Sequence, residues 1–306
     1  MIKFINHADI DKVKWDACIQ QASNSLIYGY SWYLDIAAPH WNAVILGDYD
    51  AVMPLPTNKK IFTMAYQPFF TQQLGIFFKE KFKTQANTID FFAQIPAHYK
   101  YINICLNEQN ETGSNGKFNY QLKKRTNYLL HLHLPYQKLF NSFNDHNRRN
   151  VKKAVKNNLI ITDALPNNVV DFYIEHKGAT TEKVNIADYD RLKLLLNEAH
   201  KNGMLLCKQI NNQQGEPLTL AAFYIHNNRI IYQVGASNKN GRELRAMYFL
   251  FDNLIATYSE QNMVLDFEGS DIESVGRFFK NFGALFVPYH RLIANRLPWP
   301  INLIKK

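Results

Sequence analysis

The sequence predicts an α+β fold, with α/β mixed sheets, arranged as two domains in tandem. Its 306 residues exceed what one hydrophobic core usually spans. It is 46% hydrophobic and 14% aromatic, the composition of a folded chain and not of a disordered one. The same order of elements occurs in each half: helices, a meander of strands, a helix and a further strand. No residue-level repeat accompanies it, so the doubling is structural.

In the first half, the hydrophobic periodicity predicts helices near 9–22 and 31–38, then strands at 42–46, 51–55, 61–67 and 73–78. Gly47-Asp48, Pro56 with Asn58, and Pro68 supply the turns between them. A helix near 87–95 leads to the strand YINICL at 101–106. The strand TNYLLHLHL then gives way to PYQKLFNSFNDHNRRN, which places the division at 1–140 and 141–288, with the tail 289–306 returning to the first domain. Helices follow near 136–157, 167–177 and 187–201, and strands at 204–210, 218–226 and 229–236. Asn227-Asn228 is a two-residue hairpin signal. Helix 244–260 and strand 264–268 complete the second half.

An excess of 35 Lys and Arg over 26 Asp and Glu gives a net charge of +9. This serves solubility, or an acidic partner such as a nucleic acid, a phosphorylated precursor or a coenzyme. Cys18, Cys105 and Cys207 are far apart and odd in number, which matches neither a disulfide framework nor zinc spacing and suits a reducing compartment. His131 and His133 share a strand face without a third ligand at useful spacing, so no metal is expected. The N-terminus lacks a long apolar run, and the most apolar helix, 246–258, is interrupted by Asp252 and Asn253. A cytoplasmic protein with no membrane insertion is the expectation, and the sequon at Asn110 is a chance match. Nucleophile elbow, HExxH and Walker patterns are missing from the sequence, so hydrolase and NTPase readings lack support.

The most informative stretch is VLDFEGSDIESVGRFFKNFGALFVP, residues 264–288. Val264 to Phe267 is an apolar run ending at Glu268-Gly269, as a strand reaching a sheet rim does. Ser270 and Glu273 form a capping box that starts a helix at Asp271. Ile272, Val275, Phe279 and Phe282 give it a buried face, while Glu273, Arg277 and Lys280 fall on another. Two cations on a short helix beside a sheet rim could meet an anionic substrate.

Three runs in order carry a resemblance: HNRRNVKKAVKN (146–157), GASNKNGRELRAMYFLFDNLI (235–255) and DFEGSDIESVGRFFKNFGA (266–284). Together they resemble the Fem family of peptidoglycan interpeptide-bridge aminoacyltransferases, over about half the chain, and D-F-E-G followed by F-K-x-x-F-G is the most specific piece. The resemblance implies tandem GNAT-like domains (the N-acetyltransferase fold), with an acyl donor lying in the gap between strands 229–236 and 264–268. Its phosphates would meet the helix start at Gly241-Arg242-Glu243-Leu244-Arg245-Ala246. Leu244 stands where the coenzyme A-binding pattern Q/R-x-x-G-x-G/A has its central glycine, although Ala246 fits the last position. This departure counts against ordinary acetyl-coenzyme A binding and is compatible with an aminoacyl-tRNA.

The resemblance also assigns the reaction centre to the pair Phe279 and Lys280. Lys280 would then steady the oxyanion or the donor's terminal phosphate, with Arg277 as a weaker partner; otherwise it is a solvated helix lysine. Tyr232 joins Arg242, Leu244, Arg245, Ala246, Arg277 and Phe279 as a donor contact. Asp266 and Glu268 share a strand face and are placed to take a proton from an attacking amine; the bland reading has Asp266 capping backbone and Glu268 pairing with Arg277. Arg148, Arg149, Lys152, Lys153 and Lys156 form a basic stripe for a tRNA backbone or nucleotide, or a plain solvated face. Tyr28, Tyr30 and Trp32 line an acceptor cleft or pack in the core. The expected activity is N-acyl transfer by direct attack, Fem-like and from charged tRNA to an amine-bearing cell-wall precursor, with no tightly bound cofactor. Acyl-coenzyme A-dependent acylation of a sugar or small amine, and a non-catalytic binding module, stay open.

Overall fold

Strand β1 (Ile2–Ile5) lies antiparallel on β2 (Trp41–Leu46), which pairs in turn with β3 (Ala51–Lys59). This is the start of a computed structural model that describes residues 1–59, 61–113, 120–178, 184–269 and 271–304. Helix α1 (Lys12–Gln21) begins at Asp11, whose carboxylate accepts from the Val13 and Lys14 amides, and α2 (Ser31–Ala37) follows. Then come β4 (Thr63–Tyr66), β5 (Phe77–Phe78), α3 (Thr88–Ala93), β6 (Tyr99–Cys105) and β7 (Gln121–Arg125). Trp15, Tyr33, Trp41, Phe77, Phe91 and Tyr99 are fully buried in this unit. Asn110 is buried as well, with its side chain bonded to both the amide and the carbonyl of Ile76 (2.8 and 2.7 Å), so it serves as a structural bracket.

The second unit runs from Thr126 to Val287. Its elements are β8 (Tyr128–His131), α4 (Tyr136–Ser142), α5 (Asp145–Val155), β9 (Ile160–Asp163), α6 (Pro166–Lys177), α7 (Ile186–Lys201), β10 (Leu205–Asn211), β11 (Pro217–His226) and β12 (Arg229–Ser237). They continue through α8 (Lys239–Glu243), α9 (Ala246–Tyr258), β13 (Val264–Asp266), α10 (Glu273–Lys280) and β14 (Leu285–Phe286). The sheet order is β14-β8-β13-β12-β11-β10-β9, antiparallel except for the β12–β13 pair. Phe251 sits at the centre of its core among Phe223, Phe267 and Phe282.

After Val287 the chain returns to the first unit, which comprises Met1–Arg125 and Pro288–Lys306. There β15 (Tyr289–Asn295) inserts between β6 and β7, antiparallel to both, in the order β1-β2-β3-β4-β6-β15-β7, with β5 on β3. The short α11 (Ile301–Ile304) follows.

Several expectations are corrected here. The boundary lies at Arg125/Thr126 and not at 140/141, because β8 hydrogen-bonds to β13 and β14 and so belongs to the second sheet. The single helix expected at 136–157 is two, broken where Phe143 turns extended and the Asn144 side chain caps α5 by accepting from the Asn147 amide. The helix expected at 244–260 is α9 and starts at Ala246, behind Arg245 at φ 63, and the separate short helix α8 precedes it. The capping box rests on Ser270, outside the described residues; α10 begins at Glu273 behind Ile272, without a side-chain cap from that residue.

Candidate functional site

Strands β12 and β13 pair only over Arg229–Ile231 against Val264–Asp266. Beyond Ile231, β12 continues to Ser237 with no strand partner on that side among the described residues, so the pair parts there. A β-bulge falls in the same place: Phe223 of β11 faces Tyr232 and Ala222 faces Val234, leaving Gln233 unmatched. An extra residue of this kind bends a strand and redirects its side chains. Here Tyr232, Gln233, Gly235, Ala236 and Ser237 all line a cleft of about 980 Å³.

The far wall is the turn after β13 together with α10. Phe267 is fully buried and stacks on Phe279 at 5.0 Å. Glu268 then adopts a left-handed backbone (φ 55), and Gly269 follows at φ 51. Asp266 holds this turn, since its Oδ1 accepts from the Glu268 amide at 2.8 Å while its Oδ2 takes Nε and Nη2 of Arg229, each at 2.8 Å. A side chain at 269 has no room, because a Cβ there would lie 2.2 Å from the Thr126 carbonyl oxygen. The result is a strained non-glycine residue whose carboxyl borders the cleft. Burial pushes that carboxyl well above the ordinary glutamate range.

Of the residues read from sequence, Glu268, Tyr232, Phe279 and Arg242 meet in this cleft. Burial raises the Tyr232 phenol above its ordinary value, and its hydroxyl donates to the Gly235 carbonyl at 3.2 Å. Arg242 donates to the Ser237 carbonyl at 2.6 Å.

Others lie elsewhere. Asp266 is 1% exposed and consumed by Arg229 and the Glu268 amide, and the left-handed turn ends its alternation with Glu268, so the two carboxylates do not share a face. Lys280 is exposed in the last turn of α10 and does not border the cleft; Arg277 pairs instead with Glu273 at 2.5 Å. Ile272, just ahead of α10, and Ser274, Val275, Phe278 and Phe279 on it line the cleft, whereas Glu273, Arg277 and Lys280 do not. Leu244 packs with the core and its carbonyl accepts from Asn157 Nδ2 at 3.0 Å, while Ala246 is fully buried. Arg245 donates to the Arg242 carbonyl at 2.8 Å. These last three border the α8–α9 junction and not the cleft.

On α5, Arg148 is held by Asp145 at 2.5 Å and by the Asn141 carbonyl at 2.8 Å, whereas Arg149, Lys152, Lys153 and Lys156 are exposed. Asn157 carries the end of this stripe to the α8–α9 junction. Tyr28 is 1% and Tyr30 7% exposed, which makes them core residues of the first unit; Trp32, half-buried, stacks on Tyr30 at 6.4 Å.

The helix expected at 167–177 forms as α6, but its place at the site has no sequence signal: it brings Tyr173, His176 and Lys177 to the cleft. The Lys177 ammonium lies 5.6 Å from the centre of the Tyr173 ring, and burial lowers its pKa. His176 and Lys177 sit in the last turn of the helix, and nothing in their spacing marks them out.

No protein-family model and no curated protein matches the chain. Solved structures do. FemX matches with a TM-score of 0.63 at 12% identity, covering 97% of this chain and 98% of that one. An assigned lysylphosphatidylglycerol synthetase C-terminal domain from Agrobacterium fabrum gives 0.56 at 9% identity (96% and 94% covered), and L-PGS from Bacillus licheniformis 0.55 at 11% (96% and 95%). Over almost its whole length this chain has the fold of FemX: α+β, with GNAT-like units in tandem.

Proposed function

We propose that the second unit catalyses acyl transfer to an amine, with Glu268 as the general base. The observation that carries this is the Glu268 carboxyl, fixed in a strained turn at the mouth of a splayed parallel strand pair and displaced by burial from its ordinary pKa. In such a reaction the amine attacks the donor's acyl carbon and a carbon–nitrogen bond forms. The amine proton passes to Glu268, and the tetrahedral intermediate collapses by breaking the bond to the leaving oxygen or sulfur. The Tyr232 hydroxyl, kept protonated by its surroundings, is the nearest acid in kind for the leaving group.

The likeness to FemX and the Fem-like runs favour an aminoacyl group carried on tRNA, delivered to an amine of a cell-wall or related precursor. Two features support this over acyl-coenzyme A. A phosphate cradle needs a free helix start, and here the left-handed Arg245 and the packed Leu244 interrupt it. The exposed cations of α5 lead to the same junction and suit a polyanion. The test is transfer from charged tRNA, and separately from acyl-coenzyme A, to an amine acceptor. Glu268→Gln should lower kcat/KM by about 10²- to 10⁴-fold while donor binding persists. Unchanged turnover in that variant would remove Glu268 from the chemistry. Failure of every donor would leave a binding module.

A further inference from the structure

Helix α10 turns its apolar side, and not its charged one, to the cleft. Ile272, Val275 and Phe278 recur every third residue along that wall, and Ile272 is 65% exposed. A surface helix ordinarily buries such a stripe against its own core. Here Val275 and Phe278 pack on the core and, with Ile272, also border an open volume of about 980 Å³, which Tyr173 of α6 and Met247 of α9 line as well. Phe267 stacked on Phe279 supplies further apolar surface beneath. Polar side chains share the lining, His176, Gln233, Ser237 and Ser274 among them; Glu268 serves the amine, and the charges of Arg242 and Lys177 complement the phosphates of a donor's leaving group.

We infer that the group this cleft accepts for transfer is bulky and apolar, an aromatic or branched aminoacyl group or a fatty acyl chain, laid along Ile272, Val275 and Phe278. The inference rests on the acyl-transfer reading and narrows its substrate. Transfer breaks the donor's acyl–oxygen or acyl–sulfur bond and forms the acyl–nitrogen bond. The amine proton goes to Glu268, while the Tyr232 hydroxyl gives the leaving atom its proton and is reprotonated in turn. A small acyl group such as acetyl or glycyl would leave the α10 stripe in water, whereas a bulky one removes both surfaces from it.

The test uses the full chain and two pairs of donors: dodecanoyl- against acetyl-coenzyme A by titration calorimetry, and phenylalanyl- against glycyl-tRNA by filter binding. In at least one pair the bulky donor should bind about tenfold tighter or more, and the responsive pair identifies the carrier. Ile272→Asn, at an exposed rim position, should abolish that preference with the melting temperature unchanged, and Ile272→Leu should keep it. Equal binding within both pairs, or a preference that survives Ile272→Asn, overturns the inference. Selective binding of bulky donors without transfer to any amine sinks the transferase reading and leaves the apolar site standing. Equal transfer of small and bulky groups does the reverse, and no binding at all ends both.

Discussion

Glu268 combines a left-handed backbone, a neighbour that must be glycine, and a half-buried side chain whose charged form burial disfavours. Each of these costs stability, which is the usual mark of a residue kept for chemistry. Burial disfavours the charged form, so the folded-state pKa lies above the unfolded value of about 4.3. The protonated carboxyl therefore suits the fold, and that advantage is lost as pH rises through the folded pKa. Two results follow from this sign. Glu268→Gln should gain stability over the native chain as pH rises above the ordinary carboxylate range, and urea midpoints measured across pH would show the gap widening; a constant gap would mean that burial does not displace this group. The acid limb of kcat/KM should also sit well above the usual glutamate value, since only the ionised form accepts a proton, and in Glu268→Gln that limb should vanish along with most of the activity.

At the scale of the element, the turn after β13 depends on Asp266. Its carboxylate is 1% exposed, and its two oxygens are divided between Arg229 and the Glu268 amide. Asp266→Ala strands a largely buried guanidinium and frees the Glu268 amide, so the expected cost is about 3–5 kcal/mol by chemical denaturation, with activity falling in parallel. An undiminished midpoint would show the pair to be dispensable. The basic stripe of α5 makes a separate prediction. Replacing Arg149, Lys152, Lys153 and Lys156 by glutamine should weaken charged-tRNA binding and flatten its salt dependence, by about 0.7–0.9 in log–log slope for each phosphate no longer neutralised, while the fold holds. An unaltered slope would make the stripe a solvated face. Helix α10 shows how far the sequence was legible at this scale. Its two faces were readable from spacing alone, and so was the importance of D-F-E-G. Which face meets the ligand was not, because periodicity separates faces without saying what lies opposite either one. Lys280, assigned through the resemblance, lies outside; Ile272 and Val275, read as part of the buried face, line the cleft together with Phe278. The bulge at Gln233 depends on how β11 and β12 pair, and the α6 wall on how that helix packs on the sheet; neither leaves a local signal.

For the whole molecule, the doubled order of elements was visible because each half has its own meander and closing helix. What stayed hidden were the strands whose patterns are weakest. Gln121–Arg125 is QLKKR, polar at almost every position, and although the tail 289–306 was expected to return to the first domain, nothing local gives the place of β15 within that sheet. Yet β15 is an interior strand of the first sheet, hydrogen-bonded to β6 on one side and β7 on the other. Leu292 is fully buried there, and Ile293 and Ala294 nearly so. Removing residues 288–306 therefore strips β6 of a central neighbour, leaves β7 with no partner in the sheet order, and opens an apolar edge to water. The first unit of such a truncation should lose its cooperative unfolding transition and its slow amide exchange along β6, and the protein should aggregate. The second unit ends at Val287 and keeps all seven of its strands, so its β11 and β12 amides should remain protected in the same exchange experiment. Protection retained along β6 after truncation would show that the first sheet closes without its last strand, and loss of protection in β11 and β12 would show that the second unit cannot hold its sheet without the first.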